Sequence, residues 1–271
     1  MSNFEVQATI EDSGSEKNYS NYKICENLLS YINPVTITDI AEVQAQTEPG
    51  YKYTIEGIVT SNASGYDKDT AFFDCIYVQD ATGGVCCFPV AGNFKVGDIV
   101  RVTGTTEFYQ GEMELQVSDI ELIGEGYSVT PANVFAKQVN DGTVLGQLIT
   151  VKGTVESFEL ANGLVQTIMV KDEKGDVVRV FIDGYITTDE DVKNLKVGNK
   201  ITVTGIASYD DTFNAPEGPF PRIRIRDRAD IVCTTPAPAT GDSTPIALWL
   251  CLMTLTAAAG AVMVCKPKEQ F

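Results

Sequence analysis

The sequence repeats itself, and this duplication constrains the fold more than any other feature. The segments "YTIEGIVTS", "IYVQDATGGVCCF" and "KVGDIVRVTGT" lie within residues 53–105. They recur in the same order within residues 149–206, as "ITVKGTVES", "IMVKDEKGDVVRVF" and "KVGNKITVTGI". The spacing differs slightly between the copies, as loops that absorb insertions allow. We therefore predict two copies of one module, over residues 47–126 and 145–233, joined by a linker at 127–144.

Each copy is rich in Val, Ile and Thr, which favour β-strands. The turns "DATGG" and "DEKGD" carry the Gly and Asp that tight connections need. Between the third and fourth predicted strands of the second copy, "YITTDEDVKNLKVG" predicts a short helix capped by Thr187 or Thr188. The first copy has only "PVAGNFKVG" there, so we expect no helix. Five strands in this order are typical of an OB-fold barrel.

Three motifs carry a resemblance to a known family of modules: the "G-x-V" first strand, the "V-x-D-x-x-G" hairpin and the "K-V-G-x-x-I-x-V-T-G" fourth strand. They resemble the OB-like modules of secreted, wall-anchored Gram-positive nucleases and nucleotidases of the YhcR type, over most of residues 47–233. The expected fold class is all-β, with two tandem OB-like five-stranded barrels plus a C-terminal transmembrane helix. In that family the modules accompany a separate catalytic domain, and this sequence contains no such domain.

The C-terminus predicts a membrane span. Residues 246–265 contain no charge and no proline, and a helix of that length rises about 30 Å, enough to cross a bilayer. Lys266 and Lys268 follow at once, which favours a cytoplasmic tail at 266–271. The alternative is a buried core helix, although such helices seldom lack every polar residue.

A Pro/Thr linker at 234–245 precedes this span and contains "PAPATGDST". The order of Pro238, Thr240 and Gly241, a short spacer, an apolar span and a basic end resembles a Gram-positive sortase sorting signal. The resemblance implies cleavage between Thr240 and Gly241 and attachment to the cell wall. Ala237 stands where that signal usually has Leu, so a plain membrane anchor is the alternative. Either arrangement predicts a cell-surface protein with an extracellular ectodomain.

The first residues contain no apolar stretch of the kind that a secretion signal needs. Because a surface protein must be exported, we interpret the chain as the C-terminal piece of a longer protein. Residues 1–46 then represent the end of an upstream domain or a lead-in to the first barrel. Any catalytic domain is expected upstream.

Charge and composition restrict the chemistry. The net charge is −17, which disfavours nucleic acid at long range. Residues 51–126 hold 4 basic and 12 acidic residues (net −8), and residues 145–233 hold 11 and 14 (net −3). The sequence has no histidine, so it lacks the Ser-His-Asp and Cys-His catalytic groups. We expect no cofactor, no metal site and no catalytic residue, and we interpret "KDEKGD", with Asp172, as a solvated turn.

The seven cysteines match no metal or disulfide framework. Cys86 and Cys87 are adjacent in a predicted strand and face opposite sides, so they cannot easily pair with one another. We interpret them as buried thiols.

The strand "PRIRIRDRAD" is the strongest binding candidate. Its arginines alternate with Ile223 and Ile225, so they share one face, and a row of arginines can grip phosphates or carboxylates. Aromatic residues beside it can stack on bases or sugars. The alternative is a solvent-facing strand whose arginines pair with acidic neighbours. The predicted ligand-binding residues are Arg179, Tyr209, Phe213, Phe220, Arg222, Arg224 and Arg226, with Arg228 continuing the row.

The sequence thus supports three hypotheses. The first is a cell-surface-anchored tandem OB-fold module that binds single-stranded nucleic acid or another anionic polymer. The second is a purely structural spacer that presents an upstream enzyme domain. The third assigns the whole chain to a nuclease or nucleotidase-like polypeptide whose chemistry is encoded upstream. The expected partners are the polymer, a sortase, the cell wall or membrane, and the upstream catalytic domain.

Overall fold

The computed structural model describes residues 35–61, 72, 74–90, 94–186, 192–210 and 220–234. Several predicted features lie outside these ranges: the start of the chain up to residue 34, Thr187, Thr188, Phe213, the sorting motif with Pro238, Thr240 and Gly241, the span at 246–265 and the tail. The side chain of Arg228 is also outside the description. None of the helices within the described ranges has the length and apolar character needed to cross a bilayer.

The first module is a closed five-stranded barrel preceded by a short helix. Its strands follow the order β1-β2-β3-β5-β4, with β4 pairing back to β1 and with β3 and β5 parallel. The prediction of an all-β fold with a five-stranded barrel in the first copy is therefore confirmed. The elements are α1 (Ile40–Gln44), β1 (Lys52–Ser61), β2 (Ile76–Gln79), β3 (Gly84–Phe88), β4 (Ile99–Tyr109) and β5 (Glu112–Gly124).

The second module repeats the same pairings with its fifth strand divided in two. Its strand order is β12-β10-β11-β9-β8-β7-β6, and β10 also pairs with β7. Hydrogen bonding therefore runs from β7 through β8, β9, β11 and β10 back to β7. The elements are β6 (Ala132–Asn133), α2 (Ala136–Asn140), β7 (Leu148–Ala161), β8 (Leu164–Lys171), β9 (Val177–Phe181), β10 (Lys200–Asp210), β11 (Phe220–Arg224), a 3₁₀ turn (Arg228–Asp230) and β12 (Ile231–Thr234).

An aspartate in each β-hairpin turn, half-buried in the first module and buried in the second, anchors the short helix of its module. Asp80 accepts the backbone N–H of Ile40 at 2.9 Å, and Asp172 accepts that of Ala136 at 2.9 Å. Each aspartate also accepts backbone N–H groups of its own turn. Burial opposes the charge of Asp80, but these hydrogen bonds outweigh it and lower its pKa. Residues 173–176 of this turn are exposed, as predicted for a solvated turn, but the prediction is wrong for Asp172, which holds α2 in place and is 7% exposed.

The duplicated unit therefore includes the helix that precedes the first long strand of each module. Residues 127–144, predicted as a linker, contain β6 and α2, and Val139 of α2 is buried in the core of the second module. Val43 of α1 has the same role in the first module. Helix and strands share one apolar core in each module, because the apolar side of a helix must be buried against another element.

The two modules touch along β3 and the segment before β7. A Cβ atom on Gly84 would overlap the carbonyl of Gly146, and a Cβ atom on Gly146 would overlap the carbonyl of Gly84. The backbone N–H of Leu148 donates to the side chain of Gln79 at 2.9 Å. The absence of a side chain at both glycines thus permits close backbone approach between the modules.

Candidate functional site

The arginine strand shows the predicted alternation. Ile223 and Ile225 are completely buried in the core of the second module. On the opposite face Arg222 is also buried, at 5% exposed. The arginine row therefore faces protein on this side, whereas the sequence had suggested a surface open to a ligand or to solvent.

Arg179 and Arg222 share one carboxylate. Each places a guanidinium nitrogen 2.9 Å from the same oxygen of Asp210, and all three side chains are 6% exposed. Both guanidinium groups also lie over the ring of Phe181, at 4.9 and 5.0 Å from its centroid. Desolvation by burial and the neighbouring charge of Arg224 lower the pKa of Arg222. Each of the two buried cations thus has an ion pair with Asp210 and an aromatic ring beside it within the second module.

The arginine row also reaches the first module. Arg222 donates from Nη2 to the side chain of Gln110 at 3.2 Å, and Arg224 stacks 4.4 Å above the ring of Phe72. Arg226 forms a two-pronged contact with Asp230, at 2.9 and 2.7 Å. A third nitrogen of Arg226 donates to the carbonyl of Thr60 in the first module at 2.9 Å. Three of the predicted ligand-binding arginines are thus part of the contact between modules.

The predicted aromatic residues are placed differently. Tyr209 is half-buried, and its backbone N–H donates to Glu112 of the first module at 3.0 Å. Phe220 is half-buried and pairs with Asp210 across β10 and β11. The structure brings Arg179, Arg222 and Phe220 together around Asp210. Their role in ligand binding remains a prediction.

Between the modules lies a cavity of about 270 Å³, which we call the inter-module cavity. Two glutamates of β5 face it, and burial is the main cause that raises the pKa of each, Glu112 to about 7 and Glu114 to about 7. Glu112 also accepts the hydroxyl of Tyr77 at 3.1 Å. The lining residues are Asp74, Cys75, Tyr77, Cys86, Phe88, Tyr109, Gln110, Glu112, Glu114, Arg222 and Arg224.

A second concave surface lies on the outer face of β7, β10 and β12. It encloses about 620 Å³, and we call it the lysine groove. Lys152, Lys171 and Lys200 line it and are exposed, and so is Phe135, which is 41% exposed. Lys200 donates to the hydroxyl of Thr154 at 2.8 Å. The other lining residues include Asn133, Thr150, Glu173, Thr202 and Thr234.

Two contacts engage residues that line the lysine groove. Lys171 forms an exposed ion pair with Glu156 at 3.1 Å, and Lys174 lies 5.2 Å from the centroid of the Phe135 ring. An exposed ion pair such as Lys171–Glu156 is weak, so Lys171 can bind another anion instead. The groove can therefore offer several cations and one aromatic face to a ligand that carries negative charge.

The duplicate of this groove in the first module has a different charge. It encloses about 420 Å³ and is lined by Glu56, Gln79 and Ile99. When the two copies are aligned, Glu56 matches Lys152, Gln79 matches Lys171 and Ile99 matches Lys200. The duplicated scaffold thus carries three lysines in one copy and none at the same positions in the other. These lysines are not among the predicted binding residues, although a residue-by-residue alignment of the two copies shows the contrast.

Comparisons with known proteins show only distant structural likeness. No protein-family model and no curated protein matches the chain. Among solved structures, a murine DNA-binding protein bound with double-stranded DNA is 10% identical with a TM-score of 0.34, covering 65% of this chain and 94% of that one. A single-stranded DNA-binding protein from Thermus aquaticus is 12% identical with a TM-score of 0.25, covering 73% and 100%. The hypothetical protein ygiW from E. coli is 17% identical with a TM-score of 0.26, covering 32% and 90%.

Proposed function

We propose that this chain is a non-catalytic tandem of two OB-like barrels that binds an anionic polymer through the lysine groove. The circuit of pairings through β7, β8, β9, β11 and β10 supports the second barrel. The proposal rests on one observation. The groove of the second module is lined by Lys152, Lys171 and Lys200, whereas no lysine of the described ranges lines its duplicate in the first module. Single-stranded nucleic acid is the polymer we favour, because Phe135 offers a stacking surface beside the cations.

The lysine groove replaces the arginine row as the binding surface. Arg179 and Arg222 are 6% exposed and already held by a shared carboxylate, so a polymer cannot reach them as it can reach the exposed lysines. The second module also has the smaller net negative charge, −3 against −8 for the first. An anionic strand is repelled less by this side of the molecule.

The predicted surface location belongs to the same proposal. A sortase-type signal at Pro238, Thr240 and Gly241, followed by an apolar span, would fix the modules to a cell envelope. In that setting, the modules would hold a polymer close to an upstream nuclease or nucleotidase-like domain. Cell fractionation with an antibody to the second module checks the location, since recovery in the culture supernatant or cytoplasm alone would contradict it.

Fluorescence anisotropy with labelled single-stranded DNA tests the binding. Three phosphate contacts give a salt slope of about −2, so affinity should fall about 20-fold between 50 and 200 mM salt. Lys152→Glu with Lys200→Glu should weaken binding at 50 mM salt by about tenfold or more. Lys52→Glu is the single-charge control on the first module and should change affinity by about twofold at most. Unchanged binding in the groove variant would refute the site.

A second candidate function is a rigid spacer, which the contact between modules favours. Gly84 and Gly146 approach closely, and Arg226 bridges the modules through Thr60. Gly84→Ala should loosen this contact and increase the radius of gyration measured by X-ray scattering. Gly184→Ala is the matched control, because a Cβ atom there meets nothing within 4 Å. If no DNA binds at 50 mM salt and the wild type is rigid, the spacer is the function that remains.

A further inference from the structure

The fold brings two cysteines together that are eleven positions apart in the chain. Cys75 directly precedes β2, and Cys86 lies on β3 opposite Tyr77. Because side chains two positions apart share a face of a strand, Cys75 and Tyr77 point to the same side, as does Cys86. Cys75 and Cys86 are therefore diagonal neighbours on adjacent strands, and their side chains are close enough to interact directly. Both cysteines line the inter-module cavity.

The two thiols are chemically unequal. They hydrogen-bond to each other, and this bond lowers the pKa of Cys75 and raises that of Cys86. The positive charge of Arg224 also favours ionisation of Cys75, against burial and the charges of Asp74 and Glu114. Cys75 therefore ionises first and is the better nucleophile of the pair.

We propose that Cys75 and Cys86 form a redox site, oxidised reversibly to a disulfide by low-molecular-weight disulfides that enter the inter-module cavity. The cavity of about 270 Å³ gives a small reagent access to thiols that are otherwise buried. The site is independent of polymer binding, because it lies between the modules and not in the lysine groove.

The chemistry is two successive thiol–disulfide exchanges. The Cys75 thiolate attacks one sulfur of the reagent, whose S–S bond breaks and releases one thiolate, leaving a mixed disulfide on Cys75. Cys86, after losing its proton, attacks the Cys75 sulfur and displaces the second reagent thiolate. The two protons from the cysteines end on the two released thiols. The protein loses two electrons and the reagent gains them.

Two other cysteines in the described part of the chain lie outside this redox site. Cys87 follows Cys86 on β3 but faces the core of the first barrel, where burial raises its pKa. Cys233 lies on β12 of the second module, where its thiol contacts Asn199 at 3.7 Å. Neither lines the inter-module cavity.

Peptide mapping of the full-length protein tests the site. The reduced protein is treated with hydroxyethyl disulfide, the remaining thiols are alkylated, and the chain is cleaved before aspartate. Cleavage at Asp74 and Asp80 separates residues 74–79, which contain Cys75, from residues 80–97, which contain Cys86 and Cys87. We expect the two fragments joined by one bond, about 2 Da below their summed mass, and separated again by dithiothreitol.

Two variants assign the bond. In Cys87→Ala the fragments should still be joined, because Cys86 is then the only cysteine left in residues 80–97. In Cys86→Ser the joined species should vanish. Fragments that stay separate in the wild type, a hydroxyethyl adduct that persists on Cys75, or a link that survives in Cys86→Ser would each overturn the proposal. The wild-type and Cys87→Ala maps decide the matter even if Cys86→Ser does not fold.

Discussion

Replacing Glu112 by Gln tests the energetics of the contact between modules. Glu112 is 6% exposed, accepts the backbone N–H of Tyr209 and the hydroxyl of Tyr77, and lies near Arg222. Glutamine has the same shape. Its carbonyl oxygen can accept from Tyr209, and its amide can donate to the oxygen of Tyr77. The substitution therefore removes the charge and keeps the hydrogen bonds.

The size of the effect follows from the pKa of Glu112. Burial raises it from the usual 4.5 to about 7. Below pH 4.5 the carboxyl is neutral in both folded and unfolded protein, and between pH 4.5 and 7 only the unfolded state is charged. The free energy of unfolding therefore falls as pH rises through this window. At about 1.4 kcal/mol per tenfold change in proton affinity, the folded protein loses about 3 kcal/mol above pH 7.

Urea unfolding followed by circular dichroism measures this difference. Glu112→Gln should raise the free energy of unfolding by up to about 3 kcal/mol at pH 8 and leave it nearly unchanged at pH 4. Glu121→Gln is the control on the same strand, because Glu121 is exposed and pairs with Arg101 at 3.2 Å. Its effect should stay within about 1 kcal/mol at both pH values. A Glu112→Gln protein less stable than the wild type at pH 8 would show that attraction to Arg222 outweighs the cost of desolvating the carboxylate.

Two further predictions concern buried aspartates. Asp172→Ala removes the acceptor of the Ala136 N–H and of two turn N–H groups, so the free energy of unfolding should fall by about 1–3 kcal/mol; an unchanged urea midpoint would contradict the anchoring role. Asp210→Ala leaves the charges of Arg179 and Arg222 buried without their shared carboxylate, and should cost about 3–5 kcal/mol in the same assay. A loss below about 1 kcal/mol would mean that the two arginines reach solvent.

Much of the strand content was predictable because a strand exposes its faces with a period of two residues. That period placed Ile223 and Ile225 on the face opposite the arginines, and both are completely buried. The repeat also located the turn aspartates, because Asp80 and Asp172 recur at matching positions. It could not show that they hold a helix, because the two partners are 40 and 36 residues away in the chain.

The sequence alone could not show which face of the molecule is open to a ligand, and the reason is physical. Alternation shows that Arg222 and Arg224 share a side of the strand, but not whether that side meets water or another module. In the structure Arg222 shares Asp210 with Arg179 and contacts Gln110 of the first module, so its guanidinium group meets protein and not solvent. Side-chain pattern is a local property, whereas the partner of a face depends on how distant segments pack.

By itself, the sequence determined that one β-rich unit occurs twice, with its turns and its inward and outward residues. Only the tertiary structure decided which outward faces stay in water. It buried Arg222 between the modules, brought Cys75 beside Cys86, and left Lys152, Lys171 and Lys200 exposed around one groove. The period of a strand sets the direction in which a side chain points. Long-range packing sets which groups surround that side chain, and these contacts determine its chemistry.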